Sequence, residues 1–154
     1  MNIEDNLNFD KITFNRKPEA VPYKNRISYK IMFVSLLIKY TSPSSGCSLE
    51  KMQIISSYYF NKNEQDNFLY MLRNNRQRIL FKEDLFLVKA VNYMYSERIL
   101  KLQKDGKYRL TAKGRKLNTI IEKEDAFLNE KIFFEKIGIH FSEKIIEEMK
   151  TRIV

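Results

Sequence analysis

The tightest constraint on this chain lies in residues 97–118, ERILKLQKDGKYRLTAKGRKLN. Leu100 and Leu102 alternate with polar neighbours, and so do Tyr108 and Leu110, as expected of two strands that each turn one face inward. Between them stands Asp105-Gly106, a strong hairpin signal. A two-residue loop would pair Leu102 with Arg109 and send the two apolar pairs to opposite faces. A three-residue loop, Lys104-Asp105-Gly106, pairs Leu102 with Tyr108 and Leu100 with Leu110. One residue of slip turns every side chain over, so burial favours the three-residue loop. The expected turn is type I, with Gly106 in the left-handed region as a bulge. Thr111 follows as an N-cap whose hydroxyl accepts an otherwise unpaired amide hydrogen. Helix end, strand, turn, strand and capped helix, in that order, describe the wing of a winged-helix domain.

The rest of the chain reads as helices. Residues 27–40, ISYKIMFVSLLIKY, have only Ser28, Lys30, Ser35 and Lys39 as polar breaks, so most of this helix is expected to be buried. TSPSSGC ends it through Pro43 and Gly46. Ser48 caps a second helix to about residue 60, with Leu49, Met52, Ile55 and Tyr59 on one stripe. A third helix over about 64–75 turns Phe68, Leu69 and Leu72 inward, and 78–81 reads as a short extended segment. A fourth over about 83–96 leads into the hairpin. Beyond it, one helix or two broken ones run over 112–137, with Gly138 as a stop. Ser142 caps a last helix, stapled by Phe141 against Ile146, with Ile145, Ile146, Met149 and Ile153 as its stripe. The fold expected is mainly α with a small β-hairpin: a winged helix-turn-helix domain over 26–121, an extended arm over 1–25 and a C-terminal helical extension over 122–154.

Composition narrows the function. An apolar content of 44% argues against disorder. A net charge of +9 makes nucleic acid, or an acidic protein surface, a natural partner, with a solvated basic surface as the bland alternative. The single cysteine, Cys47, allows no internal disulfide and suits a reducing cytoplasm. No signal peptide is read in MNIEDNLNFD. The longest apolar stretch, 31–38, is far too short to span a bilayer, so no membrane association is expected.

Chemistry is hard to place. His140 is the only histidine, and one histidine without other good ligands builds no metal site. Cys47 sits at a helix start, where a thiolate would be stabilised, yet a structural thiol explains it as well. Ser48-Leu-Glu-Lys51 matches a Ser-x-x-Lys pattern without any companion motif, and Ser48 already serves as a cap. With four glycines there is no phosphate-cradling loop, and Gly106-Lys107 belongs to a hairpin tip. No enzyme activity, cofactor or metal is expected.

Binding is better supported. Residues 97–121 hold eight bases against two acids. Lys101, Lys104, Lys107 and Arg109 lie on the hairpin, and Lys113, Arg115 and Lys116 fall in the first turns of the next helix, where cations are unfavourable without an anionic neighbour. Arg73, Arg76 and Arg78, with Lys82, form a second cluster, in which Asn74, Asn75 and Gln77 could reach base edges. Phosphates accept such side chains whatever the base sequence. The helix before the wing, DLFLVKAVNYMYS, is unlike a groove reader: only Lys89, Asn92 and Ser96 interrupt nine apolar residues. A helix apolar nearly all round is covered, by its own core or by a partner. Its own core would have difficulty hiding all nine, so Phe86, Tyr93 and Tyr95 are candidate partner contacts.

RISYKIMFVSLLIKY, SPSSGCSLEKMQIISSYYF, FKEDLFLVKAVNYMYSERIL and GKYRLTAKGRKL, in that order, resemble the small middle component of bacterial three-component ABC-ATPase systems, of the Lamassu type of antiviral and antiplasmid defence. The resemblance covers about residues 26–121 and rests on patterns of apolar and turn residues. It implies a non-catalytic adaptor seated on an SMC-like coiled-coil ATPase, holding a nuclease-type effector in check, with non-specific contact to double-stranded DNA as an added role. It brings no catalytic residues with it. The alternative is a free-standing winged-helix transcription regulator that binds DNA as a dimer.

Overall fold

The computed structural model describes residues 22–74 and 82–152. It is mainly helical, with a two-stranded antiparallel sheet. The helices are α1 (Ile27–Thr41), α2 (Leu49–Tyr59), α3 (Lys62–Asn74), α4 (Leu85–Ser96), α5 (Ala112–Glu122), α6 (Leu128–Ile137) and α7 (Glu143–Arg152). Strands β1 (Leu100–Leu102) and β2 (Tyr108–Leu110) stand between α4 and α5. Residues 1–21 of the arm expected over 1–25, the extended segment expected over 78–81, and Ile153 lie outside the described residues; the described end of the arm is a 3-10 turn over Tyr23–Asn25, not an extended strand.

α1 is the spine. α4, α5 and α6 all pack on it, which leaves it almost no open side. The sequence marks Lys30 and Ser35 as polar breaks in an apolar rod; both are in fact buried. A buried polar group must find a partner or lose free energy, and the polar groups along α1 pin three neighbouring helices, α4, α5 and α6. Tyr29 donates its hydroxyl to Glu130 of α6 at 3.0 Å. Ser35 Oγ donates to Asn118 Oδ1 of α5 at 2.7 Å, and Asn118 Nδ2 returns a bond to the Ser35 carbonyl at 3.1 Å. Lys39 and Tyr40 both donate to Glu122 at the end of α5, and these bonds hold its carboxyl below the usual range against the opposing effect of burial.

Lys30 pins α4. It is 1% exposed, and its ammonium lies 2.5 Å from Asp84 Oδ2 and 4.2 Å from the centre of the Phe60 ring. Burial lowers its pKa, and Asp84 opposes that. Asp84 is also the N-cap of α4, accepting from the amides of Phe86 and Leu87. That is why α4 starts at Leu85 and not at 83: Asp84 serves as the cap. Gln53 of α2 clamps the Asp84 backbone from the other side, accepting its N–H at 2.9 Å and donating to its carbonyl.

α2 departs from the stripe expected of it. Met52 and Ile55 are buried and Leu49 and Tyr59 half-buried, but Lys51, Gln53, Ile54, Ser56 and Tyr58 are buried as well. The helix is covered on nearly every side: Tyr58 stacks on Phe68 of α3, Lys51 reaches the end of α1, and Gln53 reaches Asp84. Ser48 caps it as expected, accepting from the Lys51 amide at 3.1 Å.

Past the hairpin there are two helices, broken at 123–127 by a 3-10 turn over Asp125–Phe127. Gly138 ends α6 at φ +56°. Ser142 Oγ accepts from the Ile145 amide, and Phe141 and Ile146 are both buried, as a cap and staple require. Phe133, Phe134, Ile137, Phe141 and Ile146 belong to the same apolar cluster as α1 and α4, so residues beyond 122 help build the one core. Phe33 sits within this cluster, with its ring against Tyr59, Phe60 and Phe134.

If the Lys30–Asp84 pair positions α4, then Asp84→Ala strands a buried ammonium and removes a cap. The expected destabilisation is about 3–5 kcal/mol for the stranded charge, with about 1 kcal/mol more for the cap, measured by urea unfolding. A change within the range of an ordinary surface substitution, about 0.5 kcal/mol, would contradict this account of α4.

Candidate nucleic-acid and partner interface

The hairpin has the register that burial favours: Leu100 opposite Leu110, Lys101 opposite Arg109, Leu102 opposite Tyr108. Gly106 has φ +83°, its amide donates to the Gln103 carbonyl, and the Gln103 amide donates to Lys107 O, closing the three-residue loop. Asp105 Oδ1 accepts from the Lys107 amide within that loop. Leu100 is buried, but Leu102 is largely exposed because it lies nearer the tip, beyond the reach of the core.

A third backbone segment joins the hairpin. Cys47 pairs with Tyr108 in an isolated antiparallel bridge, with bonds of 2.9 and 2.8 Å in the two directions. Gly46, at φ +85°, allows that approach: a Cβ there would sit 3.1–3.2 Å from Lys107 and Arg109 side-chain carbons and the Tyr108 carbonyl. On the other flank Thr111 caps α5, accepting from Gly114 N and donating to the Arg98 carbonyl. A Cβ on Gly114 would meet the Ile99 carbonyl at 2.5 Å, so α5 can lie this close to the foot of the hairpin only with glycine there. Sequence offers a clue in each case: a glycine just before a strand, and a glycine in the first turn of a capped helix.

The basic side chains expected on this surface divide by exposure. Lys101, Lys104, Lys113, Arg115 and Lys116 are exposed, while Lys107, just before β2, and Arg109, within it, are half-buried. Some of this charge is already answered. Lys113 donates to the Glu97 carbonyl at 2.9 Å with the Glu97 carboxylate 3.8 Å away, and Lys107 lies 3.9 Å from Asp105. Arg115 donates to the Leu110 carbonyl. Arg73 is exposed in the last turn of α3, as is Asn74. Arg76, Arg78, Asn75 and Gln77 lie outside the described residues.

In the sequence Arg98 is only one more base. In the fold it has φ +60° and stands just past the end of α4, where the Arg98 amide donates to Tyr95 O and the Ile99 amide to Met94 O. This is the helix-ending motif that normally takes glycine, and an L residue in it costs about 1–2 kcal/mol. The strained backbone carries an exposed guanidinium at the foot of the hairpin, between α4 and α5.

α4 is neither fully wrapped nor bare. Leu87, Ala90, Val91 and Met94 are buried, and α1 is the helix it packs on. Val88 and Tyr93 are half-buried, and Tyr93 packs against the core. Leu85, Phe86 and Tyr95 are exposed, at 62%, 38% and 52%. At 3.6 residues per turn Leu85, Lys89, Asn92 and Ser96 run down the middle of the outward face, with Phe86 and Tyr93 on one flank and Val88 and Tyr95 on the other. Lys89 is the only charged residue of the helix, its ammonium 5.7 Å from the Phe86 ring centre. Core packing therefore accounts for more of the apolar content than the sequence suggests, and Tyr93 is largely a core side chain.

Of the residues with possible chemistry, Cys47 touches the hairpin only through its backbone. Cys47 is fully buried and its thiol is pushed up to about 12 by burial. Ser48 Oγ donates to Glu143 Oε2 at 2.8 Å while capping α2. His140 is exposed in the turn before α7. Among the described residues no group of His, Cys, Asp and Glu could hold a metal ion, and no helix is long and apolar enough to cross a membrane. Compared with models of known protein families, with curated proteins and with solved structures, the chain matches none.

The strain at Arg98 can be read directly. Arg98→Gly should be as stable as the parent or gain up to about 1 kcal/mol, whereas Arg98→Ala should gain nothing. Urea midpoints compare the three. A destabilisation above about 1 kcal/mol in the glycine variant would mean the side chain itself holds this junction together.

Proposed function

We propose that the chain is a winged-helix adaptor subunit without catalytic activity, docking on protein partners through the outward face of α4 and lying on DNA phosphates with its hairpin. The observation that carries this reading is the exposed part of α4: Leu85, Phe86 and Tyr95 stand in solvent around one charge. A groove-reading helix needs several donors and acceptors aimed at base edges, whereas aromatic side chains on a nearly uncharged surface suit a protein contact. The element order supports the winged-helix assignment: a helix, a bridge at Cys47, helices α2 to α4, then a hairpin whose second strand takes that bridge. α3 is an extra helix between the two that would form the helix-turn-helix. The sequence resemblance supplies the partners: an SMC-like coiled-coil ATPase and a nuclease-type effector of a Lamassu-type defence system, in the cytoplasm.

One observation favours the second reading, a free-standing transcription regulator. Lys89, Asn92 and Ser96 form a polar line down the middle of the α4 outward face, in the place of a recognition helix. The two readings part on what α4 touches. With the ATPase subunit co-expressed, Phe86→Ala and Tyr95→Ala should each weaken co-purification at least tenfold while leaving the thermal midpoint of the isolated chain within about 2 °C, as suits exposed side chains. Co-purification that ignores both changes would take α4 out of the partner contact and leave the regulator reading ahead.

The hairpin has its own test. Changing Lys104, Lys107 and Arg109 together to glutamate should lower affinity for duplex DNA and flatten its dependence on salt. The log–log slope should fall by about one unit for each phosphate no longer neutralised. Unchanged affinity and slope would remove the hairpin from DNA binding.

A further inference from the structure

Two lysines are buried among the described residues, and only one of them is paired with a carboxylate. Lys30 has Asp84 at 2.5 Å. Lys51, 3% exposed, has no ion-pair partner among the described residues. Its ammonium donates to the Thr41 carbonyl at 3.1 Å and to Ser42 Oγ at 2.8 Å, which uses two of its three protons. The nearby Glu143 is already engaged, its two oxygens accepting from the amide and the hydroxyl of Ser48 at 2.8 Å each. Burial lowers the Lys51 pKa, Cys47 and the Glu143 carboxylate oppose that, and the charge of Lys107 adds a little to it.

Lys51 is buried, with its ammonium also 5.9 Å from the centre of the Phe141 ring. It lines a surface-open pocket of about 270 Å³, walled by the 41–45 loop, by Lys107 of the hairpin, and by Glu143 and Lys144 at the start of α7. Three lysines and a single carboxylate thus line one space, with Lys107 also 3.9 Å from Asp105 of the hairpin loop. If Lys51 only braced the end of α1, this would be an unfavourable way to do it. A neutral donor would make the same two bonds without desolvating a charge, and Lys107 and Lys144 add like-charge repulsion. The arrangement makes sense with an anion in the pocket. The volume lies just below the range of about 300–1,000 Å³ typical of drug-sized ligands, so the anion is small, and hydroxyls at Ser42, Ser44 and Ser45 suit a ligand with several acceptor oxygens.

We propose that this pocket is a phosphate-binding site, with Lys51 at its floor, Lys107 and Lys144 on its walls and the serine hydroxyls of the 42–45 loop completing the cradle. No residue of α4 takes part and only Lys107 is shared with the hairpin, so the site goes beyond the adaptor reading. The phosphate group has two possible sources: a backbone phosphate of DNA lying along the hairpin, or a free phosphate or mononucleotide.

The test uses the full chain with inorganic phosphate as the first probe, against chloride at matched ionic strength. The thermal midpoint should rise saturably with phosphate, and calorimetry should give a single site. Lys51→Met and Lys144→Gln should each weaken that binding at least tenfold. Lys144 is exposed, so its variant remains informative if the buried substitution fails to fold. Two further probes assign the source. If inorganic phosphate displaces a duplex and Lys144→Gln weakens duplex binding, the group comes from DNA. If a nucleoside monophosphate binds at least tenfold more tightly than inorganic phosphate and duplex binding ignores Lys144→Gln, it comes from a free nucleotide. Either result supports the site. It is overturned if phosphate acts no differently from chloride, or if Lys144→Gln, together with any folded Lys51→Met, binds phosphate as the parent does. Neither variant touches the hairpin or α4, so this failure is separable from failure of the adaptor reading.

Discussion

The pair of Lys30 with Asp84 is the contact on which the placement of α4 and the hairpin depends. A lysine buried in the first turn of the spine helix is strongly unfavourable by itself, and its carboxylate partner must stay within reach. That partner is also the cap of α4, so the first turn of α4 is fixed to α1 at one point. Gln53 fixes the same residue to α2 through both backbone groups of Asp84. With its start held on two helices, α4 has its rotation set: Leu87, Ala90, Val91 and Met94 enter the core, and Leu85, Phe86, Lys89 and Tyr95 are turned away from it. The hairpin follows directly from the end of α4 through the strained turn at Arg98. Its orientation is inherited from the same anchor.

Local rules make the hairpin and the caps legible. The register follows from alternation and the requirement that Leu100 and Leu110 share a face. The caps at Ser48, Thr111 and Ser142 follow from hydroxyl residues standing before apolar periods. What the sequence hides is what depends on distant partners. Nothing around Lys30 announces Asp84, 54 positions on, and nothing around Ser35 announces Asn118. The all-round burial of α2 depends on segments from several places in the chain. The outward face of α4 is less greasy than its sequence implies for the same reason: a linear pattern gives the number of apolar residues, and only the packed spine decides how many it hides. Arg98 is the plainest omission, because a left-handed arginine leaves no mark in composition or period.

The molecule keeps its positive charge in two different states. On the hairpin and the first turns of α5 it is mostly solvated, partly answered by Glu97 and Asp105, and suited to contacts that do not depend on base sequence. Around Lys51 it is concentrated and half sunk in the protein, where it favours one small anion in one place. Lys107 belongs to both surfaces. That shared lysine gives the hairpin and the pocket a physical link: an anion held in the pocket would offset charge at the side of β2 and alter what the hairpin offers to DNA.

The central claim is that α4 does not read bases while the hairpin holds phosphates. Its most direct measurement is the affinity of the isolated chain for several unrelated duplexes of equal length at one fixed salt concentration. The account predicts affinities that agree within about threefold, since phosphate contacts carry no sequence information. A preferred duplex bound about a thousandfold more tightly than the rest, the discrimination typical of a specific reader, would contradict it and make α4 a recognition helix.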